Sequence, residues 1–176
     1  MTRAILAVAA FVIAGLLSAF GPYADIRSRL SPRQPLEECP VVNADEMRAV
    51  MDSLAEEGRR AYTRQLRWDF VVVGANAAWL WIWLRAVGYR VLGRRLAVIV
   101  PAALVAMPAL ADVTENIALM QVIASHPTCR GDVIALAGAA TGAKFVFFTG
   151  AVATALILSL LVAVKFVRTK AAQRPR

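Results

Sequence analysis

LAVIVPAALVAMPALADVTENIALMQVIA, residues 96–124, is the stretch on which the reading of the whole chain turns. It is long enough to cross a bilayer, since roughly 20 residues at 1.5 Å rise span a hydrocarbon core of about 30 Å. Its apolar character is broken in one place, at Asp112-Val113-Thr114-Glu115-Asn116. An ionised carboxylate in hydrocarbon is costly, so it faces other protein, a counter-charge or a water-filled cavity. Two carboxylates one helical turn apart therefore predict a buried polar centre. Asp112, Glu115 and Asn116 share one helical face, because side chains three and four residues apart meet.

Three further apolar blocks flank this one, at about 4–20, 69–89 and 133–164. With 59% hydrophobic residues and a mean hydropathy of +0.59, the chain carries more apolar surface than one soluble core requires. The expectation is an all-α fold: a four-helix transmembrane bundle forming a single integral membrane domain over residues 1–176. The first block follows a short basic start and lacks small residues in the pattern of a cleavage site. It reads as an uncleaved anchor.

Charge sets the orientation. Arg85, Arg90, Arg94 and Arg95 lie between the second and third blocks, and Lys165, Arg168, Lys170, Arg174 and Arg176 follow the fourth, with no acidic residue in either segment. The positive-inside rule places both termini in the cytoplasm and the 21–67 segment outside. That outer loop mixes eight arginines with eight acidic residues. A bacterial inner membrane is the expected location. The net charge of +8 thus belongs to span ends, and no folded segment remains to carry nucleic-acid binding.

In the outer loop, Pro22, Pro32, Pro35 and Pro40 predict irregular chain up to residue 40. Asn43 then opens a helix, with Glu46 placed for a capping box and Met47, Val50, Met51 and Leu54 forming one apolar face. This short amphipathic helix is expected to cover its own bundle. Gly58 weakens it. Cys39 lies in this loop and Cys129 in the turn at 125–132, on the same oxidising side, so a structural disulfide between them is expected. His126, in the same turn, lacks companions for a metal and reads as a solvated histidine.

The remaining spans complete the polar centre. Asp69 and Asn76 are seven residues apart on one face of the second span. Trp79, Trp81 and Trp83 recur every second residue, which distributes them around the helix as an aromatic belt. Pro101 and Pro108 are expected to kink the third span just before Asp112. In the fourth, Gly138-Ala139-Ala140-Thr141-Gly142 is a G-x-x-x-G that admits a close helix, and Lys144 lies at the depth of Glu115. One ammonium among two or three carboxylates leaves the centre negative unless a proton or a cation is bound.

Asp69, the D-x-x-E-N of Asp112 to Asn116, and Lys144 together resemble small bacterial four-span membrane proteins of uncharacterised role, and the resemblance implies a topology without an activity. Claudin-like proteins and the vitamin K epoxide reductase family share four spans and a long first loop. The chain lacks the loop Trp-x-x-Trp and cysteine pair of the first and the Cys-x-x-Cys of the second.

Three functions fit such a centre. It can be an ion-pair network fixing helix register in a structural or assembly subunit. It can be the acid–base pair of an embedded enzyme acting on a lipid or isoprenoid. It can be the coupling site of a proton- or cation-coupled carrier, working as an oligomer. The sequence leaves enzymatic activity open. No phosphate loop, nucleophile elbow, zinc motif or haem-ligand pair is present, so neither metal nor cofactor is expected. The expected partners are membrane lipids and either further copies of the chain or another membrane protein.

Overall fold

The computed structural model describes residues 23–31 and 43–172, with residues 9, 12, 13, 15, 16 and 36. Among them five helices have defined bounds, the last four joined by short turns: α1 (Tyr23–Leu30), α2 (Ala44–Ser53), α3 (Ala55–Val91), α4 (Leu96–Ala124) and α5 (Gly131–Ala172). Three of these, α3, α4 and α5, are long and apolar enough to cross a membrane. The expected first span, about 4–20, falls outside the described residues apart from helical positions Ala9, Val12, Ile13, Gly15 and Leu16.

The long helices form an antiparallel bundle in which α4 packs on α3 and α5, and α3 also touches α5. Gly88 is buried at the α3–α4 hairpin, where a Cβ would stand 3.8 Å from the Ala97 backbone, so the two helices close tightly over the short turn between them. The outer surface is a belt of large apolar side chains. Leu110 is 65% exposed, Ile157 59% and Val146 69%. A water-soluble monomer does not present such a surface. This is the architecture of a multi-pass membrane protein.

Two of the helices overreach the bilayer. At 1.5 Å per residue the 37 residues of α3 reach about 55 Å and the 42 of α5 about 63 Å, against about 30 Å of hydrocarbon. The excess of α3 is its charged first part, with Glu56, Glu57, Arg59, Arg60, Arg64 and Arg67. The excess of α5 is basic and exposed, with Lys165, Arg168 and Lys170. The first overhang makes a capped end and the second a basic end.

At the capped end α1 and α2 fold against the bundle. The interval between Pro22 and Pro32, expected to be irregular, accommodates the eight residues of α1, whose Ile26 and Leu30 are buried one turn apart. α2 begins where expected: the Asn43 side chain accepts the Glu46 amide at 2.7 Å. Its Met47, Val50 and Met51 are buried with Leu54, Tyr62, Leu66, Val122 and Ile134 in one apolar cluster. Polar contacts fasten the same helix to the α4–α5 turn, where Arg48 Nε donates to the Pro127 carbonyl at 3.0 Å and His126 Nε2 lies 2.8 Å from Asp52 Oδ1. His126 is therefore a docking residue rather than a solvated one.

Two expectations are corrected here. The break between α2 and α3 falls at Ala55, φ 50°, while Gly58 lies inside α3 with a would-be Cβ 3.0 Å from that of Leu54. The bridge between Cys39 and Cys129 finds no support: Cys129 is a buried free thiol, and Cys39 lies outside the described residues.

Ala55 is exposed in a left-handed conformation that costs an L-residue about 1–2 kcal/mol. Ala55→Gly should remove that strain at the expense of some chain entropy, for a net gain of about 0.5–1 kcal/mol in detergent unfolding curves. Burial also pushes the Cys129 thiol up from its ordinary range. Peptide mapping after maleimide treatment should find Cys129 unmodified in the folded protein and modified once it is denatured.

Candidate functional site

The polar centre lies between two apolar clusters. Toward the capped end is the cluster around Tyr62 and Met51, and toward the basic end is a second, built on Trp79, Leu80, Leu84, Ala151, Ala155 and Leu158. Between them α4 turns Asp112, Glu115 and Asn116 inward, α5 brings Thr141 and Lys144, and α3 contributes Asp69.

Glu115 is the middle of the arrangement and is completely buried. One carboxylate oxygen is held by Lys144 Nζ, and the other lies 2.6 Å from the Thr141 hydroxyl. The same hydroxyl is 3.0 Å from the Ala137 carbonyl, so its single proton is shared between two acceptors. Lys144 Nζ also stands 3.3 Å from Asp112 Oδ1, an ion-pair contact whose angles fall short of a hydrogen bond. Asp112 and Lys144 differ from Glu115 in keeping a little exposure, 18% and 16% of their side chains. Asn116 donates through Nδ2 to Asp69 Oδ2 at 2.8 Å.

That small exposure opens onto a cavity of about 30 Å³, whose lining includes Asp112, Lys144, Asn76, Pro108 and Phe148. The volume corresponds to roughly one water molecule. Pro108, one turn before Asp112, lacks an amide and so leaves the Leu104 carbonyl without its helical donor on that side of α4.

The sequence-predicted residues divide accordingly. Asp69, Asp112, Glu115, Asn116 and Lys144 come together, with Lys144 and Glu115 meeting as their depths predicted. Asn76 does not join Asp69; its Oδ1 accepts from Trp79 Nε1 at 3.2 Å. The tryptophans are less a belt than a packing element. Trp79 is buried and stacks on Trp83 at 5.6 Å between centroids, Trp83 Nε1 donates to Ser159 at 3.0 Å, and Trp81 lies under the Arg85 guanidinium at 5.2 Å. Gly142 of the G-x-x-x-G is exposed, with no atom within 4 Å of a would-be Cβ, so no described helix packs closely on that glycine.

Two residues of the centre escaped the sequence reading. Thr141 was visible only as an interior position of that glycine motif, although it precedes Lys144 by three residues and so shares its face. Gln65, buried on α3, stands four residues before Asp69 on the same face. Among the described residues no group of three or more His, Cys, Asp or Glu side chains is placed to hold a metal ion. Comparison with family models, with curated proteins and with solved structures finds no match.

The hydroxyl of Thr141 and the amide of Asn76 should differ in weight. A hydrogen bond to a buried carboxylate contributes about 1.5–3 kcal/mol, so Thr141→Val should lower stability by that amount. Asn76→Leu, which removes one neutral bond made by a half-buried amide, should cost about 1 kcal/mol or less. Paired unfolding curves in detergent check the order.

Proposed function

We propose that the chain is an integral membrane structural or assembly subunit, and that its polar centre is a clamp fixing the rotation and register of α4 against α5. The observation that carries this reading is the closure of Glu115. It is wholly buried, both of its oxygens are engaged, and it does not line the neighbouring small pocket, which Asp112 and Lys144 border. An embedded enzyme acting on lipids needs an open path to its carboxylates, and a carrier needs a site that two sides can reach. The sealed Glu115 serves neither. The resemblance to small bacterial four-span proteins agrees with this reading in topology. In that topology residues 4–20 are the first of four spans, both termini are cytoplasmic and the membrane is a bacterial inner one. Charge supports the orientation, since the basic end carries arginines and lysines without acids.

A clamp has a characteristic mutational signature. Removing one partner of a buried ion pair leaves an uncompensated charge and costs about 3–5 kcal/mol, whereas replacing both with apolar groups of similar volume is close to neutral. Lys144→Met should therefore destabilise the protein by about that amount in detergent, and Glu115→Leu with Lys144→Met should recover the part of the loss that the Glu115 charge causes, leaving only the partly exposed Asp112 without its lysine. The double variant should also retain the oligomeric state and co-purifying membrane proteins of the wild type. Lipid turnover or ion flux in the purified wild type that vanishes in this stably folded double variant would overturn the clamp.

A further inference from the structure

We infer that the Asp69 side of the polar centre binds a sodium ion, held by the Asp69 carboxylate and the side-chain carbonyl oxygens of Asn116 and Gln65. The argument begins with charge. Three carboxylates, Asp69, Asp112 and Glu115, share the region with one ammonium, and Lys144 is committed to Glu115 and Asp112. The contact of Asp69 is the neutral Asn116 amide.

The second observation is a pair of orphaned acceptors. Asn116 is completely buried and Gln65 is 4% exposed, and Asn116 Oδ1 and Gln65 Oε1 each lack a hydrogen-bond partner. Leaving such an acceptor unpaired costs about 1–3 kcal/mol, so each requires a partner. Both residues neighbour Asp69. Asn116 directs Nδ2 at Asp69, and its free Oδ1 hangs from the same amide carbon. Gln65 shares the Asp69 face of α3 one turn toward the capped end.

Oxygen donors, one charged and two neutral, suit a hard alkali cation. Calcium collects six to eight oxygens and several carboxylates, and transition metals select nitrogen or sulfur. A cation here answers both needs at once, pairing the orphaned oxygens and balancing Asp69. Asp69 is only half-buried, which leaves a cation access to it. The inference is independent of the clamp, which concerns Glu115 and Lys144.

The test uses the full-length protein in detergent, with sodium chloride compared against choline chloride at equal ionic strength. Sodium at a hundred-fold excess over its Kd should raise Tm by about 5–10 °C, and radioactive sodium should bind saturably at one ion per chain. Asp69→Asn should abolish both effects. Gln65→Leu, which leaves the charge and the Asn116 bond in place, should weaken sodium affinity at least tenfold and serves if Asp69→Asn fails to fold. Equal Tm in the two salts with no bound sodium, the result expected of a bound water only, would overturn the inference. So would a sodium effect that Asp69→Asn leaves intact.

Discussion

The contact between Lys144 and Glu115 is the constraint on which the bundle depends. α4 and α5 are apolar on nearly every side, and lipid tails are as apolar as their side chains, so hydrophobicity does not tell either helix which face to turn inward. Polar groups supply that information. An unpaired carboxylate or ammonium at this depth is costly, and satisfying both demands that Glu115 and Lys144 point at one another. A slide of one helical turn, about 5.4 Å, would separate them. Thr141 narrows the choice further, because it engages the second Glu115 oxygen from the same face of α5 that carries Lys144. Rotation, register and the pairing of α4 with α5 thus follow from three side chains.

The rest of the molecule divides around this level according to solvent. Toward the capped end, water returns and ordinary amphipathic logic applies: α1 and α2 bury Ile26, Met47 and Met51 and leave Asp45 and Arg48 at the surface. The long helix α3 joins the two regimes. Its first part meets the cap through Tyr62 and Leu66, and its last part is lipid-depth helix with tryptophans packed on α5. The Tyr62 hydroxyl, accepting the Leu36 amide at 3.0 Å, ties the preceding loop to the start of the span. Beyond the polar centre, toward the basic end, acidic residues vanish from all three long helices.

This division explains what was legible in the sequence. Predominantly apolar runs at 69–89, 96–124 and 133–164 locate α3, α4 and α5, because membrane spans are written in composition rather than in long-range contacts. The Asn43 cap is local, and so is equally readable. Lys144 and Glu115 could be matched because helical rise converts residue number to depth. Contacts between helices were not readable in this way. Asn76 had the spacing to join Asp69, but it lies three residues from Trp79, and the indole N–H captured it. His126 looked solvated because its partner, Asp52, is on another element 74 residues away. Thr141 was concealed by the glycines around it. The start of α3 was obscured by its charges, which suggested a loop, whereas tertiary burial of Ala61, Tyr62, Gln65 and Leu66 keeps that segment helical.

The two carboxylates of α4, three residues apart, have been given different surroundings. Glu115 is sealed between an ammonium and a hydroxyl, so any movement of a proton or ligand there would first have to break the bundle's own register. Asp112 shares the same lysine at a longer distance, with imperfect angles, beside a water-sized cavity bordered by a proline that leaves a helical carbonyl free. Strong coupling at one residue and loose coupling at its neighbour separate the holding of the helices from exchange with water. The cost of keeping Asp112 at this depth is thereby lowered by the same lysine that Glu115 requires. One cation stabilises both carboxylates, and its strongest bond goes to the one from which water is excluded.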